Sequence, residues 1–97
     1  MTTPTWSPEA LRDLESIRTF IAQDSERYAE LVVRRLVGAA ERLRSFPESG
    51  RVVPERNDPM IREVLVGSYR VVYGLIHGQA EIVTVFRGSR LFPEDLR

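Results

Sequence analysis

The chain has 97 residues, with 42% apolar and 29% charged side chains, which is the size and balance of one globular domain spanning 1–97. Fourteen basic residues balance fourteen acidic ones, so no global field draws in nucleic acid, and cysteine is absent, which excludes disulfides and thiolate chemistry. All the basic residues are arginine, which rules out a lysine Schiff base, a lysine general acid and a P-loop lysine.

The opening Met1-Thr2-Thr3-Pro4 has neither the basic nor the apolar part of a signal peptide, and no apolar run approaches the ~20 residues of a membrane span. The expectation is a cytoplasmic protein without membrane contact. In Ser7-Pro8-Glu9, serine suits an N-cap, proline the first helical position and glutamate the positive end of the helix dipole. Leu11, Leu14, Ile17 and Ile21 recur at helical spacing, so the first helix is predicted over 8–22, with Trp6 and Leu11 spaced as a hydrophobic staple.

Asp24 or Ser25 is positioned to cap a second helix carrying Ala29, Val32, Leu36, Ala39, Leu43 and Phe46 on its apolar side, and Pro47 stops it. The short connection makes the two an antiparallel hairpin. Residues 46–59 hold three prolines and Gly50 and read as a loop. From Ile61 the period changes. Residues 61–66, 69–77 and 80–87 are rich in valine, isoleucine and tyrosine, and Gly67-Ser68 and Gly78-Gln79 separate them as tight hairpin turns. Helices followed by a three-stranded meander define an α+β fold.

Two-residue turns fix the register. Across the first, Val66 faces Tyr69, Val64 faces Val71 and Arg62 faces Tyr73. Across the second, the expected pairs are Leu75 with Ile82, Tyr73 with Thr84 and Val71 with Phe86. The helix hairpin is expected to cover the face these residues share. The opposite face then carries Ile61, Leu65, Val72, Ile76, Val83 and Val85, together with Glu63, Arg70, Glu81 and Arg87. A face that apolar needs a cover: the C-terminal tail, a second copy or a partner. Arg70 and Arg87 would lie opposite one another there, either as an anion site or neutralised by Glu63 on the diagonal.

No cofactor or metal site emerges. His77 is the lone histidine and sits beside a turn, where a solvated side chain is the plainer reading than a general base. The glycines form neither GxGxxG nor a P-loop. Tyr69, Tyr73 and Phe86 at alternate strand positions read as core rather than as a base-stacking platform.

The string from Ile61 to Tyr73, IREVLVGSYRVVY, resembles the central strands of the RelE/ParE toxin family, and Ile82–Arg90 resembles its last strand with a trailing arginine. Trp6-Ser7-Pro8-Glu9-Ala10 is similar to the opening of ParE-like members, and Pro47-Glu48-Ser49-Gly50-Arg51 to their P-x-x-G-R loop. The resemblance implies a β-α-α-β-β-β fold, with a helix hairpin on one face of an antiparallel sheet and a first strand near Thr2–Trp6. It also implies the toxin of a type II toxin–antitoxin system, wrapped by a cognate antitoxin, ParD-like or another short antitoxin, in a hetero-oligomer.

Family members act in two ways. ParE-like toxins inhibit DNA gyrase; RelE-like toxins cleave mRNA on the ribosome with basic residues, for which Arg70, Arg87 and Arg90 are the candidates here. The tail lacks tyrosine, and arginine supplies charge but no proton acceptor. Neutral net charge also argues against direct nucleic-acid binding. The expectation is a ParE-like, non-enzymatic gyrase inhibitor, with the RelE-like endoribonuclease and a degenerate antitoxin-binding member as alternatives. The partner surface is expected at Ile61, Glu63, Leu65, Arg70, Val72, Val83, Val85 and Arg87.

Overall fold

The computed structural model describes residues 4–88 and 92. The order is β1 (Thr5–Trp6), α1 (Pro8–Ala22), α2 (Glu26–Arg42), β2 (Arg51–Val52), β3 (Ile61–Val66), β4 (Tyr69–Ile76) and β5 (Gln79–Arg87). The five strands form one sheet in the order β1-β5-β4-β3-β2. Two departures from the expected topology follow. The predicted loop contains the short strand β2, which adds to the edge of β3, and β1 runs parallel to β5, so the sheet is mixed. No helix among the described residues is long and apolar enough to cross a membrane.

Both helices begin as their sequence dictates. The Ser7 and Ser25 hydroxyls accept the Ala10 and Tyr28 N–H groups, satisfying amides that have no partner within the helix. The C-terminal end of α2 differs from the expected one. Leu43 and Arg44 donate to Ala40 and Glu41 in tight i→i−3 bonds, Leu43 is buried, and Phe46 is left exposed instead of continuing the apolar stripe. Leu11, expected to pack on Trp6, is about half exposed, while Trp6 packs on the main core with Leu14, Ile17 and Ile21.

That core lies between the helix hairpin and the sheet. Val32, Leu36, Ala40 and Leu43 from α2 meet Tyr69, Val71 and Tyr73 from β4 and Ile82 and Val85 from β5. The first hairpin has the expected register, Val66 with Tyr69 through Arg62 with Tyr73. The second does not. Its turn is His77-Gly78, with positive φ at both residues (52° and 76°), so Ile76 faces Gln79 and Leu75 faces Ala80. Positive φ at both central residues matches the twist of a tight hairpin. Because asparagine enters this region more readily than histidine, His77→Asn is expected to raise stability by about 0.5 kcal/mol in a denaturant titration.

Further along, a β-bulge leaves Val83 without a direct partner: Tyr73 pairs with Ile82 but Val72 with Thr84. The extra residue reverses the facing of everything beyond it. Val85 turns toward the helices, and Phe86, paired with Arg70, turns to the rear. The bulge is supported from α1 and its cap. Ser7 Oγ donates to the Val83 carbonyl, while Asp13 Oδ2 accepts both the Thr84 hydroxyl and the Val85 N–H. Polar groups freed from the ladder are thereby satisfied from the neighbouring layer.

Candidate functional site

The rear of the sheet is the apolar face that the sequence showed to need a cover. Of the covers considered there, its middle has the chain itself, through the C-terminal Phe92 and also Val53. Val53 from the loop after β2 and Phe92 near the C-terminus pack with Ile61, Val72, Val83 and Phe86 into a second small core. The apolar residues left open are at its margins, Leu65 at 53% exposure and Ile76 at 50%. An obligate partner is therefore not required to keep the centre of this face dry.

At its centre lies an ionic clasp. Glu63 on β3 has a fully buried side chain and accepts one arginine on each oxygen: Arg70 Nε at 2.6 Å on Oε1 and Arg51 Nε at 2.6 Å on Oε2. Arg70 turns its other two nitrogens onto Glu55 in a bidentate pair, at 2.9 and 2.8 Å. Its guanidinium also stands 5.3 Å from the Phe86 ring centre and 5.4 Å from that of Phe92, which meet each other edge to face. One arginine thus ties together β3, β4, β5, the 53–60 loop and Phe92. The diagonal Glu63–Arg70 contact is the neutralising arrangement considered from the sequence. The opposed Arg70–Arg87 pair is not formed, because the earlier turn and the bulge place Phe86 across from Arg70 and Tyr69 across from Arg87.

The bidentate Arg70 holds the Glu55 carboxyl at about 2, well below its ordinary 4.5, against the opposing effect of its burial. A carboxyl depressed in the folded state stabilises it above the unfolded value, and that contribution fades as pH falls toward the folded one. Acid titration is therefore expected to weaken the protein between about pH 4.5 and 2. Glu55→Gln is expected to reduce the slope over that window, by a modest amount because Glu55 is 43% exposed and screened by water.

A second polar anchor fixes the other end of the loop. The Tyr73 hydroxyl is buried beneath residues 47–50, donates to the Pro47 carbonyl at 2.7 Å and accepts the Gly50 N–H at 2.9 Å. Burial pushes this phenol above its ordinary 10. The P-x-x-G-R segment thus acquires a physical meaning: Pro47 and Gly50 clamp the Tyr73 hydroxyl, and Arg51 reaches Glu63. Arg62 fastens the same loop, donating to the Pro59, Glu48 and Gly50 carbonyls.

Of the residues expected to form a partner surface, Glu63, Arg70, Val72 and Val85 are buried, while Ile61 and Val83 are partly covered by the second core. Leu65 remains on the surface. Arg87 is exposed but on the helix side, over the Tyr69 ring at 5.9 Å. Arg90 lies outside the described residues. His77 is exposed in its turn, and no cluster of histidine and carboxylate residues suited to a metal occurs among the described residues. Sequence reasoning missed Glu55, Arg51 and Phe92 as members of the clasp. Only Arg51 carried a signal, through its place in the P-x-x-G-R motif.

The model of the family described as "ParE toxin of type II toxin-antitoxin system, parDE" matches residues 5–92. Toxin RelE2 of Caulobacter vibrioides is 36% identical over 87 residues, covering 89% of this chain and 94% of that protein. Putative toxin Y4kP of Sinorhizobium fredii is 32% identical over 91 residues, covering 94% and 93%. Among solved structures, a chain of the chromosomal ParDE TA system from P. aeruginosa superposes with a TM-score of 0.73 over 90% of this chain and 96% of its own length. At 18% identity, that likeness bears on the fold alone. These matches define the class as a toxin of a type II toxin–antitoxin system. Within that class the chain belongs to the ParE toxin family, and membership implies an antitoxin partner.

Proposed function

We propose that the chain is a cytoplasmic toxin that acts by binding DNA gyrase, without catalysis of its own, and is neutralised by a ParD-like antitoxin. The observation that carries this reading is the disposition of the arginines. RNA cleavage requires cations converging on one phosphate, with a proton acceptor and donor beside them. Here Arg70 is consumed by Glu63 and Glu55 on the rear of the sheet, while Arg87 stands on the helix side. Two side chains able to move protons stand apart from these arginines: His77 is exposed in its turn, and the Tyr73 hydroxyl is buried and donates to a carbonyl. Binding needs none of these.

Purified protein is expected to block gyrase supercoiling of a relaxed plasmid in proportion to its concentration and to leave ribosome-bound mRNA uncut. Ribosome-dependent cuts that vanish in a folded Arg87→Ala variant would replace this reading with the endoribonuclease. Overexpression with no growth defect would indicate a chain that only binds its antitoxin.

A further inference from the structure

A chain with zero net charge has no global field, but its arginines are not evenly spread. Arg27, Arg34 and Arg42 recur at seven and eight residues along α2, and Arg35 adjoins Arg34. That spacing places all four on one side of the helix, and all four are exposed. Val32, Leu36, Ala40 and Leu43, which pack on the sheet, take the opposite side.

Among the described residues, no carboxylate lies within ion-pair distance of any of the four. The acids of α2 are placed elsewhere. Glu30 reaches Arg18 of α1 at 3.9 Å, Glu41 reaches Arg44 at 3.4 Å, and Glu26 sits in the first turn. Gathering like charges on one face does not stabilise a fold. Gly38 stands in the middle of the stripe, four residues from both Arg34 and Arg42, and a Cβ there would meet nothing within 4 Å. Glycine weakens a helix interior relative to alanine, and no crowding within the chain demands it here. It leaves the helix backbone bare between the arginines.

We infer that this outer face of α2 binds the phosphate backbone of duplex DNA without reading its sequence. From Arg27 to Arg42 the stripe runs about 22 Å along the helix, or about six base pairs. Successive arginines step by about 11–12 Å, close to the width of the major groove, so they can reach phosphates on both of its walls. Guanidinium pairs with phosphate through two parallel hydrogen bonds, and the bare backbone at Gly38 lets the helix approach closely. Leu31, 42% exposed, is the large apolar side chain within the stripe. One such residue is too little for the apolar centre of a protein interface or for a helix lying in a lipid surface. The choice of DNA over RNA rests on the proposed action on gyrase, whose substrate is duplex DNA. The stripe then holds the toxin against the DNA on which that enzyme works.

The test titrates the full chain into a labelled duplex of about 20 base pairs, read by fluorescence anisotropy across a range of salt. The expected dissociation constant is in the micromolar range at about 50 mM salt, with a log–log salt slope of about −3 to −4. Arg34→Gln with Arg42→Gln changes exposed side chains only. It should flatten the slope by about 2 and weaken binding about 10-fold or more, while lysine at both positions should retain most of the affinity. Leu65→Glu with Gln79→Glu lowers the net charge by the same two units at exposed positions on the rear of the sheet, and is expected to change affinity by less than about threefold. Equal losses in the two double variants, or no loss in the first, would overturn the inference. Tighter binding to an RNA duplex would overturn the choice of DNA, and tighter binding to polyglutamate would overturn it in favour of an acidic protein segment. A wild-type chain that binds the duplex but does not slow supercoiling upholds the site and removes the gyrase reading. One that slows supercoiling without binding the duplex removes the site alone.

Discussion

Arg70→Ala is expected to destabilise the protein by about 3–5 kcal/mol, the range found when one member of a buried ion pair is removed and the other stays behind. The abandoned group is Glu63, whose side chain is fully buried and would keep only Arg51, itself 55% exposed. The substitution also leaves the edge-to-face Phe86 and Phe92 rings without the guanidinium that stands beside both, and it releases Glu55 and its loop. Small domains hold about 5–15 kcal/mol in total, so the loss is a large share of the whole. At about 4–8 °C per kcal/mol for a domain of this size, the melting temperature should fall by at least about 12 °C.

Removing both charges tests the cause. An Arg70→Leu, Glu63→Leu double variant leaves Arg51 and Glu55 free to return to water, and it should be more stable than Arg70→Ala alone. If the double variant proves the weaker of the two, the stranded carboxylate is not the source of the loss. The functional consequence is direct. An Arg70→Ala chain loses stability whatever its chemistry, so a loss of toxicity at Arg70 does not by itself report on catalysis. Arg87, exposed on the other side, is the informative position.

Gly50→Ala carries the second large effect, about 2–4 kcal/mol, from overpacking combined with a broken buried hydrogen bond. A Cβ at this position would stand 2.6 Å from the Tyr73 hydroxyl oxygen and 2.7 Å from the Glu63 carbonyl oxygen. The first contact belongs to a fully buried ring and the second to the backbone of β3, so neither yields cheaply. The loop must lift, taking the Gly50 N–H off Tyr73 and pulling Arg51 away from Glu63. Tyr73→Phe removes only the hydroxyl and is expected to cost about 1–3 kcal/mol, for the Gly50 N–H and Pro47 carbonyl it leaves unpaired. The two changes share one contact, so the Gly50→Ala, Tyr73→Phe double variant should lose less than the sum of the singles in chemical denaturation. Strict additivity would mean that the loop is held elsewhere.

These positions also separate what is readable in a chain from what is not. Ser7-Pro8-Glu9 determines where α1 begins, because capping is a matter of three consecutive residues. Gly67-Ser68 determines the first hairpin and its register for the same reason: the information is local. The family resemblance was carried by the strings around Tyr69-Arg70 and Pro47–Arg51, and the matching family model spans residues 5–92.

The second hairpin shows where local reading stops. His77 entering the left-handed region moved the turn by one residue, which shifts each partner on β5 by two. The bulge at Val83 shifts the rest of the strand back by one, so that Leu75 meets Ala80 but Val71 meets Val85. Alternation along β5 contains no mark of that insertion, since Val83, Thr84, Val85 and Phe86 suit a strand in either facing. The bulge is supported by Ser7 and Asp13, more than 70 residues away in the chain. Only the packing of α1 against β5 makes them neighbours.

The rear face follows the same logic. Periodicity showed that it was apolar and needed a cover, but the cover came from Val53, Glu55 and Phe92, outside the three long strands. Which surface remained open was therefore decided by tertiary structure. A residue's face depends on one-residue shifts in register, and such shifts are set by contacts between segments that the linear order keeps apart.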